Sequence, residues 1–306
     1  MESPTSSPNI RTRFLILSDT HGREIHPEYS KHHADVVMHC GGLTTESKIE
    51  EFKTAIRDLR SLDAPLKLVI AGNHDFTMDI PIFQGKVIEA NLDLQLVKKE
   101  YGDYGEVREL FDQARESGII LLDEGIHSFT LQNGALLKVY ASPYTPSLGN
   151  WGFQYHPKTG HDFRFGQDID IVITHGPPKG IMDSSCSGGR AGCPHLFKAI
   201  ARARPRMHCF GHIHEGWGTK LVQWRERVSE DPTHFMDIDH GKSTVIGRLS
   251  DMDPGTRVLE TSHCTEDQNP LKAGPQTLFV NAAIEGTDDF PAHPLWKIDL
   301  ELSRAT

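Results

Sequence analysis

The chain has 306 residues, of which 37% are hydrophobic and 24% charged, and this composition is typical of a globular protein with one substantial core. Its formal net charge of -10 argues against a general binder of nucleic acid or anionic membranes, because such a protein needs a basic face to displace counterions. A membrane-spanning helix is not expected either, since no run approaches about 18 uninterrupted apolar residues.

The first residues of the chain, Met1 to Asn9, are polar and rich in Ser and Pro, and they lack the basic and apolar regions of a secretory signal. We expect residues 1–12 to be a disordered tail and residues 13–306 to form a single domain. Five scattered cysteines without a disulfide framework indicate reduced thiols and a cytoplasmic location.

Seven short apolar runs, rich in branched side chains, predict buried strands. In chain order they are Phe14–Leu17, Val36–Met38, Lys67–Ile70, Leu136–Tyr140, Ile169–Ile173, Met207–Phe210 and Leu278–Val280. Helical patterns lie between several of these runs, and this alternation predicts an α/β layered core.

Three amphipathic helices are predicted between the strands. The first carries apolar residues at helical spacing over Ile49–Leu59. The residues that could cap it are Thr44, Thr45 and Ser47. The second helix covers Val107–Ala114, and the third begins at Pro194 and ends before Pro205.

One region departs from this alternation. Residues from about 225 to 275 are polar, with dispersed charges, Pro and Gly and little periodicity. A structureless connection of that length is usually functional or disordered, so we expect an insertion that is mobile or only partly ordered. Its one expected strand is Thr244–Leu249.

Metal-capable residues follow five of the predicted strands. The five segments are 18–22 (Ser-Asp-Thr-His-Gly), 39–44 (His-Cys-Gly-Gly-Leu-Thr), 72–75 (Gly-Asn-His-Asp), 174–178 (Thr-His-Gly-Pro-Pro) and 211–215 (Gly-His-Ile-His-Glu). Ligand crevices in α/β folds form at the carboxyl ends of strands, so these segments should converge. Each segment alone is weak evidence, but five of them, each with a glycine that permits close backbone approach, are hard to ascribe to chance.

In this order the motifs Asp-x-His, Gly-Asn-His-Asp, His-Gly-Pro-Pro and Gly-His-x-His resemble those of the calcineurin-like metallophosphoesterase superfamily. Residues 208–218 and 279–283 look more specifically like the MPPED (metallophosphoesterase-domain) subgroup. The resemblance covers residues 13–302 apart from the insertion. It implies a four-layer sandwich of two facing mixed β-sheets flanked by helices, with metals at the sheet ends.

The resemblance also implies two metal sites. One ion would be held by Asp19, His21 and His214, and the other by Asn73, His175 and His212. These ligands suit divalent Mn, Fe or Zn. Two such ions, about 3.5–4 Å apart, can activate a hydroxide and hold the phosphoryl oxygens during in-line attack. His74 would be a general acid or charge stabiliser, with Asp75 orienting it.

One expected ligand is missing. In the family the second segment reads Gly-Asp-(Leu or Phe)-Thr, and its aspartate bridges both metals, whereas the matching position here is Gly42. Three outcomes are open: a water or small anion fills the gap, the second metal binds weakly, or phosphate esters are no longer hydrolysed. Asp35 precedes the strand, and Glu46 suits the first turn of the next helix, so neither is expected to substitute.

Three other positions have weaker claims to a role in the site. His39 fits either a hydrogen-bond donor to the site or a packed strand residue. Trp151, followed by Phe153 and Tyr155, could wall a pocket for an aromatic or nucleotide substrate, although ordinary packing is favoured. Arg190 could contact a substrate phosphate from the loop between two ligand segments.

The sequence therefore favours a metal-dependent phosphoesterase for a small phosphodiester or phosphomonoester, with one or two divalent ions and a reaction weakened or altered by Gly42. Two alternatives stay open: a repurposed metalloenzyme that uses Lewis-acid chemistry on a non-phosphate metabolite, or a non-catalytic nucleotide-binding scaffold. The number of metals per chain would separate them. The sequence makes no prediction of the oligomeric state.

Overall fold

Short apolar runs pair into two large β-sheets whose inner faces meet. The computed structural model describes residues 9–186, 188–253, 255–287 and 290–305. In chain order its strands are β1 (Ile10–Leu17), β2 (Val36–His39), β3 (Leu66–Val69), β4 (Ile119–Leu121), β5 (Gly125–Thr130), β6 (Leu136–Ser142), β7 (Thr145–Pro146), β8 (Gln154–Tyr155), β9 (Ile171–Thr174), β10 (Met207–Phe210), β11 (Gly218–Gln223), β12 (Thr244–Arg248), β13 (Val258–Ser262), β14 (Gln276–Asn281), β15 (Glu285–Thr287), β16 (Phe290–Ala292) and β17 (Leu295–Leu302).

Both large sheets are mixed. The first has the strand order β13-β17-β1-β2-β3-β4, with β1 to β4 parallel and β17 antiparallel to β1. The second has the order β12-β11-β14-β10-β9-β6-β5, with β6, β9, β10 and β14 parallel. Parallel strands therefore form the centre of each sheet, and their carboxyl ends carry the predicted metal-capable segments.

The alternation of side chains along each strand divides the core into layers. In β1, Phe14 and Ile16 pack between the sheets in one cluster with Ile173 of the second sheet. Leu15 and Leu17 point to the opposite face, where they pack beneath helices. The predicted architecture of two facing mixed sheets flanked by helices is confirmed.

Helices cover the outer faces of both sheets. They are α1 (Ile49–Ser61), α2 (Ile80–Glu89), α3 (Leu94–Tyr101), α4 (Glu106–Ala114) and α5 (Pro194–Ala203). Phe52 of α1 and Phe111 of α4 pack on the first sheet, and Phe197 of α5 packs on the second. Within the part of the chain that the structure describes, no helix is both long and apolar enough to cross a membrane.

The predicted capping of α1 is wrong. Its N-cap is Lys48, and the carboxylate of Glu51, in the first turn, accepts the backbone N–H groups of Lys48 and Thr45 at 2.9 and 2.8 Å. An acidic group there satisfies free amides and complements the helix dipole. Thr44 and Ser47 bond elsewhere, to Asp75 and Thr77.

Helices α2 and α3 were not predicted from the sequence. In α2 a proline and a glycine interrupt the periodic pattern, and in α3 Val97 is the one buried side chain, so neither has a broad apolar stripe. Both begin at an aspartate whose side chain accepts backbone N–H groups: Asp79 from Ile82, and Asp93 from Gln95 and Leu96.

The segment 225–275 is more ordered than predicted. The expected strand is present as β12 and pairs with β11, and an unexpected strand, β13, pairs with β17 at the edge of the first sheet. The buried carboxylate of Asp237 accepts the backbone N–H groups of Ser229 and Thr233. Local hydrogen bonding, which apolar periodicity does not reveal, therefore orders this segment.

The two ends of the described chain pair with each other. β1 begins at Ile10, opposite Leu302 of β17, so the predicted disordered tail of residues 1–12 is wrong over its last three positions. Residues 1–8 lie outside the described residues. Near this end, Asp299 has a side chain only 6% exposed and accepts hydrogen bonds from Arg13 and Arg11 at 2.8 Å each.

Replacing Asp299 by Asn should destabilise the fold by about 1–3 kcal/mol at neutral pH, because charged hydrogen bonds are lost in a buried position. Burial raises the pKa of Asp299, but the hydrogen bonds from Arg13 and Arg11 outweigh burial and lower it. The stabilisation is therefore present above the unfolded carboxyl pKa of about 4 and is lost as pH falls through the lower folded value.

Urea unfolding at pH 7 and at decreasing pH would test this prediction. The difference between the wild type and Asp299→Asn should shrink below about pH 4. The matched control is Asp162→Asn, whose carboxylate is exposed, and it should change stability by less than about 0.5 kcal/mol. A pH-independent difference would contradict the proposed origin of the effect.

Candidate metal centre

The predicted ligand segments meet at one end of the two sheets. Segments after β1, β3, β9 and β10 bring all six predicted metal ligands together there. A cleft of about 460 Å³ opens above them, and its lining residues are Asp19, His21, Arg23, Thr45, Asn73, His74, His212, His214, Glu215, Glu285 and Gly286. The convergence follows from the parallel central strands, whose carboxyl ends share one edge.

The first cluster consists of Asp19, His21 and His214. One ligand atom from each lies within 4.8 Å of the other two, and Asp19 Oδ1 is 3.7 Å from His21 Nε2 and 3.6 Å from His214 Nε2. Among the described residues His21 Nε2 is buried without a hydrogen-bond partner. A buried polar atom left in this way is costly, and a cation among these atoms would satisfy it.

The second cluster consists of Asn73, His175 and His212. His175 Nε2 lies 2.9 Å from Asn73 Oδ1, and the rings of His175 and His212 have centroids 4.9 Å apart. Burial lowers the pKa of His175, and it lowers that of His212 to about 3. Both imidazoles are therefore neutral at neutral pH, which is the state that metal ligation requires.

Asp19 joins the two clusters. Its Oδ1 faces His21 and His214, while its Oδ2 accepts the backbone N–H of His212 at 2.9 Å. Burial raises the pKa of Asp19, but the neighbouring imidazoles of His214, His175 and His21 outweigh burial and hold it below its usual value. Asp19 is thus an anionic group that lies next to His21 and His214 of the first cluster and to the backbone of His212 of the second.

Three backbone carbonyls in the segment 40–45 fix the tautomers of the site. His175 Nδ1 lies 2.9 Å from the carbonyl of Cys40, and His21 Nδ1 lies 3.0 Å from that of Thr44. His74 Nδ1 lies 2.7 Å from the carbonyl of Thr45. Since a carbonyl only accepts, each ring donates its Nδ1–H and presents a bare Nε2 when neutral.

The carboxylate of Asp75 holds this segment in place. It is fully buried and accepts the N–H groups of Gly72, Leu43 and Thr44 at 2.7, 3.2 and 3.0 Å, and the Thr44 hydroxyl at 2.8 Å. These bonds go to backbone N–H groups and to the Thr44 hydroxyl, so the orientation of His74 by Asp75 that the resemblance implies would pass through the backbone of this segment.

Gly42 lies beside Asp19 of the first cluster, and its match to the position of the family's bridging carboxylate stays a prediction. Its φ is +67°, and a Cβ built there would lie 2.5 Å from Asp19 Oδ1. Asp19, His21 and His212 also have positive φ values, of 57, 47 and 66°. Backbone strain of this kind concentrates at functional sites, where the surrounding structure maintains it.

The weaker candidates divide into those at the cleft and those away from it. Trp151 packs against His74 with ring centroids 4.5 Å apart, so it lies beside the cleft. Arg190 instead bonds to the buried carboxylate of Asp183 at 2.7 Å and lies away from the residues that line the cleft. Phe153 is buried, and Tyr155 donates its hydroxyl proton to Cys193 Sγ, so both serve packing.

The three remaining candidates lie outside the cleft: His39 is in the core, and Glu46 and Asp35 make contacts elsewhere. His39 is buried beneath Thr20, whose hydroxyl lies 3.1 Å from its Nε2, and burial lowers the pKa of His39 to about 3. Glu46 forms an ion pair with Lys48 and lies before the N-cap of α1, so its predicted place in the first turn of the helix is wrong. Asp35 accepts the backbone N–H of Arg13, at the opposite end of β1 from the ligands.

The sequence analysis missed Glu285 and Arg23, which both line the cleft. Glu285 follows β14 at its carboxyl end, so the same rule that identified the other segments would have found it. It lies two residues beyond the segment 279–283, but its position in the following short strand, β15, obscured this signal.

The fold and the paired clusters define a metallophosphoesterase-type site. Residues 12–216 match the model of the calcineurin-like phosphoesterase family, which is more than half of the chain, so the protein belongs to that family. The family resemblance stated from the motifs is thereby confirmed.

Particular relatives include metallophosphoesterase domain-containing protein 1 of Homo sapiens, 32% identical over 68% of this chain and 62% of that protein. A protein of Emericella nidulans named probable rhamnogalacturonate lyase C is 33% identical over 69% of this chain but only 18% of its own length. The chain thus spans less than two-thirds of both relatives. The crystal structure of TT1561 of Thermus thermophilus aligns with a TM-score of 0.45 at 12% identity, over 69% of this chain and 84% of that one.

Replacing Asp75 by Asn should destabilise the protein by about 2–3 kcal/mol, because a buried charged acceptor of several hydrogen bonds is lost. It should also weaken Mn²⁺ binding by about tenfold, since the carbonyls that orient His21 and His175 would shift. Urea unfolding and calorimetric titration with Mn²⁺ measure the two effects. Asp112→Asn, at an exposed helix position, is the control, and an unchanged Mn²⁺ affinity in Asp75→Asn would contradict the positioning role.

Proposed function

We propose that this protein is a metal-dependent phosphoric ester hydrolase that acts on a small phosphodiester or phosphomonoester. The observation that carries this proposal is the joining of two ligand clusters through Asp19, whose two oxygens face His21 and the backbone of His212. Adjacent cations suit a phosphoryl group, because they neutralise its oxygens from two sides.

The proposed metal ligands are the six residues of the two clusters. One or two divalent ions bound there, with Mn, Fe or Zn as the candidates, would supply an activated water and positive charge for the phosphoryl oxygens. The protein keeps the ligands ready by fixing the Nδ1–H groups of His21 and His175 on backbone carbonyls. In the neutral form of these rings, the Nε2 lone pairs are available to a cation.

His74 is the proposed proton donor to the leaving group. Its Nδ1–H is held by the carbonyl of Thr45, and its ring lies between those of His21 and Trp151, at centroid distances of 4.9 and 4.5 Å. For this role the ring must be an imidazolium, with a proton on Nε2 as well as on Nδ1. Transfer of the Nε2 proton to the leaving oxygen neutralises the charge that develops as the P–O bond breaks, and it leaves a neutral ring. Asp75 contributes indirectly, by holding the segment that carries Thr45.

Trp151 is the proposed wall for the organic part of the substrate. It lies beside His74, and the ammonium group of Lys86 lies 5.2 Å from its ring centroid. An aromatic face next to the proton donor suits a planar or apolar leaving group. Arg190 is left out of the proposed substrate site because its guanidinium is engaged by Asp183.

Gly42 favours a second candidate function, a metalloenzyme that uses Lewis-acid chemistry on a non-phosphate metabolite. With no side chain at this position, the second cluster has only neutral ligands, and a single ion becomes the stronger expectation. Elemental analysis of the purified protein, with hydrolysis of a chromogenic phosphodiester in added Mn²⁺, separates the two. Two metals with turnover favour the hydrolase, and one metal without turnover favours the second candidate.

Replacing Gly42 by Asp should tighten binding of the second metal by at least about tenfold and raise phosphodiester hydrolysis, because it returns an anionic ligand to the site. Aspartate tolerates positive φ better than most residues, and the Asp19 carboxylate must rotate to make room. Gly42→Ala imposes the same backbone and Cβ cost without a carboxylate. Equal metal content and rate in the two variants would show that residue 42 does not face the metals.

Replacing His74 by Asn should leave the metal content unchanged and lower kcat by about 10²–10⁴-fold, the usual contribution of a general acid. Steady-state hydrolysis and elemental analysis measure the two quantities. The control is His127→Asn, whose ring lies away from the cleft and donates to the backbone carbonyl of Asp123. A loss of metal in His74→Asn would mean that His74 is a ligand instead of a proton donor.

A further inference from the structure

One carboxylate at the cleft has no place in the proposed ligand set. Glu285 lies four residues after the end of β14, and its side chain is 21% exposed. Its Oε1 forms an ion pair with Arg23 Nη2 at 2.7 Å. Its Oε2 points the other way, 3.2 Å from His21 Nε2 and 3.8 Å from His214 Nδ1. Glu285 therefore faces two of the three residues of the first cluster.

The contact between Glu285 and His21 is the informative one. His21 donates its Nδ1–H to the carbonyl of Thr44, so its neutral ring presents a lone pair at Nε2. That atom faces two carboxylate oxygens, Glu285 Oε2 at 3.2 Å and Asp19 Oδ1 at 3.7 Å, and it is buried without a hydrogen bond among the described residues. Three acceptor atoms this close to one another are unfavourable without a positive charge, and a cation bound between them would stabilise the arrangement.

We propose that Glu285 is a ligand of the metal held by Asp19, His21 and His214, and that it supplies from another loop a negative charge that Gly42 does not. This inference rests on the metal binding of the proposed function. Among the six proposed ligands only Asp19 is anionic, so Glu285 doubles the ligand charge of the site.

Arg23 fits a supporting role for this ligand. It holds Oε1 of Glu285 and leaves Oε2 directed at the cluster. Ligating carboxylates are commonly hydrogen-bonded through their second oxygen, which orients the first. Other carboxylates near the segment 40–45 are engaged elsewhere: Asp75 by backbone N–H groups and the Thr44 hydroxyl, Glu51 by the backbone N–H groups of Thr45 and Lys48, and Glu46 by Lys48. Glu285 instead directs Oε2 at His21.

Calorimetric titration of the metal-stripped protein with Mn²⁺, together with elemental analysis as purified, tests the proposal. Glu285→Gln keeps the shape of the side chain and should lower the Mn²⁺ affinity of the tighter site by about 10–100-fold. Glu46→Gln removes a carboxylate near Gly42 that pairs with Lys48, and it should bind Mn²⁺ like the wild type. Thermal unfolding without metal shows whether each variant is folded.

Two further variants separate metal ligation from a simple ion pair. Arg23→Ala breaks the same ion pair but keeps the carboxylate, so it should weaken Mn²⁺ binding less than Glu285→Gln. Adding Gly42→Asp to Glu285→Gln should restore part of the lost affinity, because an anionic ligand returns from the other side. Equal losses in Arg23→Ala and Glu285→Gln would overturn the ligand role in favour of the ion pair.

The result that overturns this inference alone is a Glu285→Gln protein that binds Mn²⁺ as tightly as the wild type. A proton on His21 Nε2 would then account for its closeness to both carboxylates. A wild-type protein that binds neither Mn²⁺ nor Zn²⁺ would overturn the proposed function itself, and the inference with it. The two failures are therefore distinguished by the wild-type titration.

Discussion

The site depends on one constraint, the path of the segment 40–45 between β2 and α1. Its carbonyls accept the Nδ1–H groups of three imidazoles, and its backbone also accepts the N–H groups of Asp19 and His21. A buried carboxylate, that of Asp75, anchors the segment from the opposite side. The orientations and tautomers of His21, His74 and His175 are thus set by one short piece of backbone, with no contribution from a side chain at Gly42.

These backbone contacts do not depend on a side chain at position 42. The aspartate that the resemblance implies at position 42 would coordinate metal through its side chain. The carbonyls of this segment instead accept N–H groups, and a glycine backbone can do this as well as any other. The peptide of Gly42 itself accepts the N–H of His21 at 3.0 Å. The positive φ of Gly42 also costs glycine nothing. Glycine at position 42 is therefore compatible with the backbone framework of the site.

The layered fold could be predicted because the apolar runs are short, branched and separated by helical patterns. The carboxyl-end rule then placed the six ligand candidates, and the structure brings them together. The rule could not assign Asp75, because its partners are backbone amides that carry no sequence signal. Glu285 follows β14 at its carboxyl end and so satisfies the rule, but it was overlooked because it lies four residues beyond that end and begins a separate short strand, β15.

The carboxylates also imply that the two clusters are unequal. The first contains Asp19 and, if Glu285 is a ligand, a second carboxylate directed at His21 from the opposite loop. The second contains an amide and two imidazoles that burial keeps neutral. An ion in the second cluster would thus be attracted by one carboxylate only, that of Asp19, whose Oδ2 also accepts the His212 N–H. Charge attraction dominates the binding of divalent ions to such ligands, so the first cluster should bind an ion more tightly than the second. Binding of an ion to the second cluster would then decide whether a phosphoryl group contacts one cation or two.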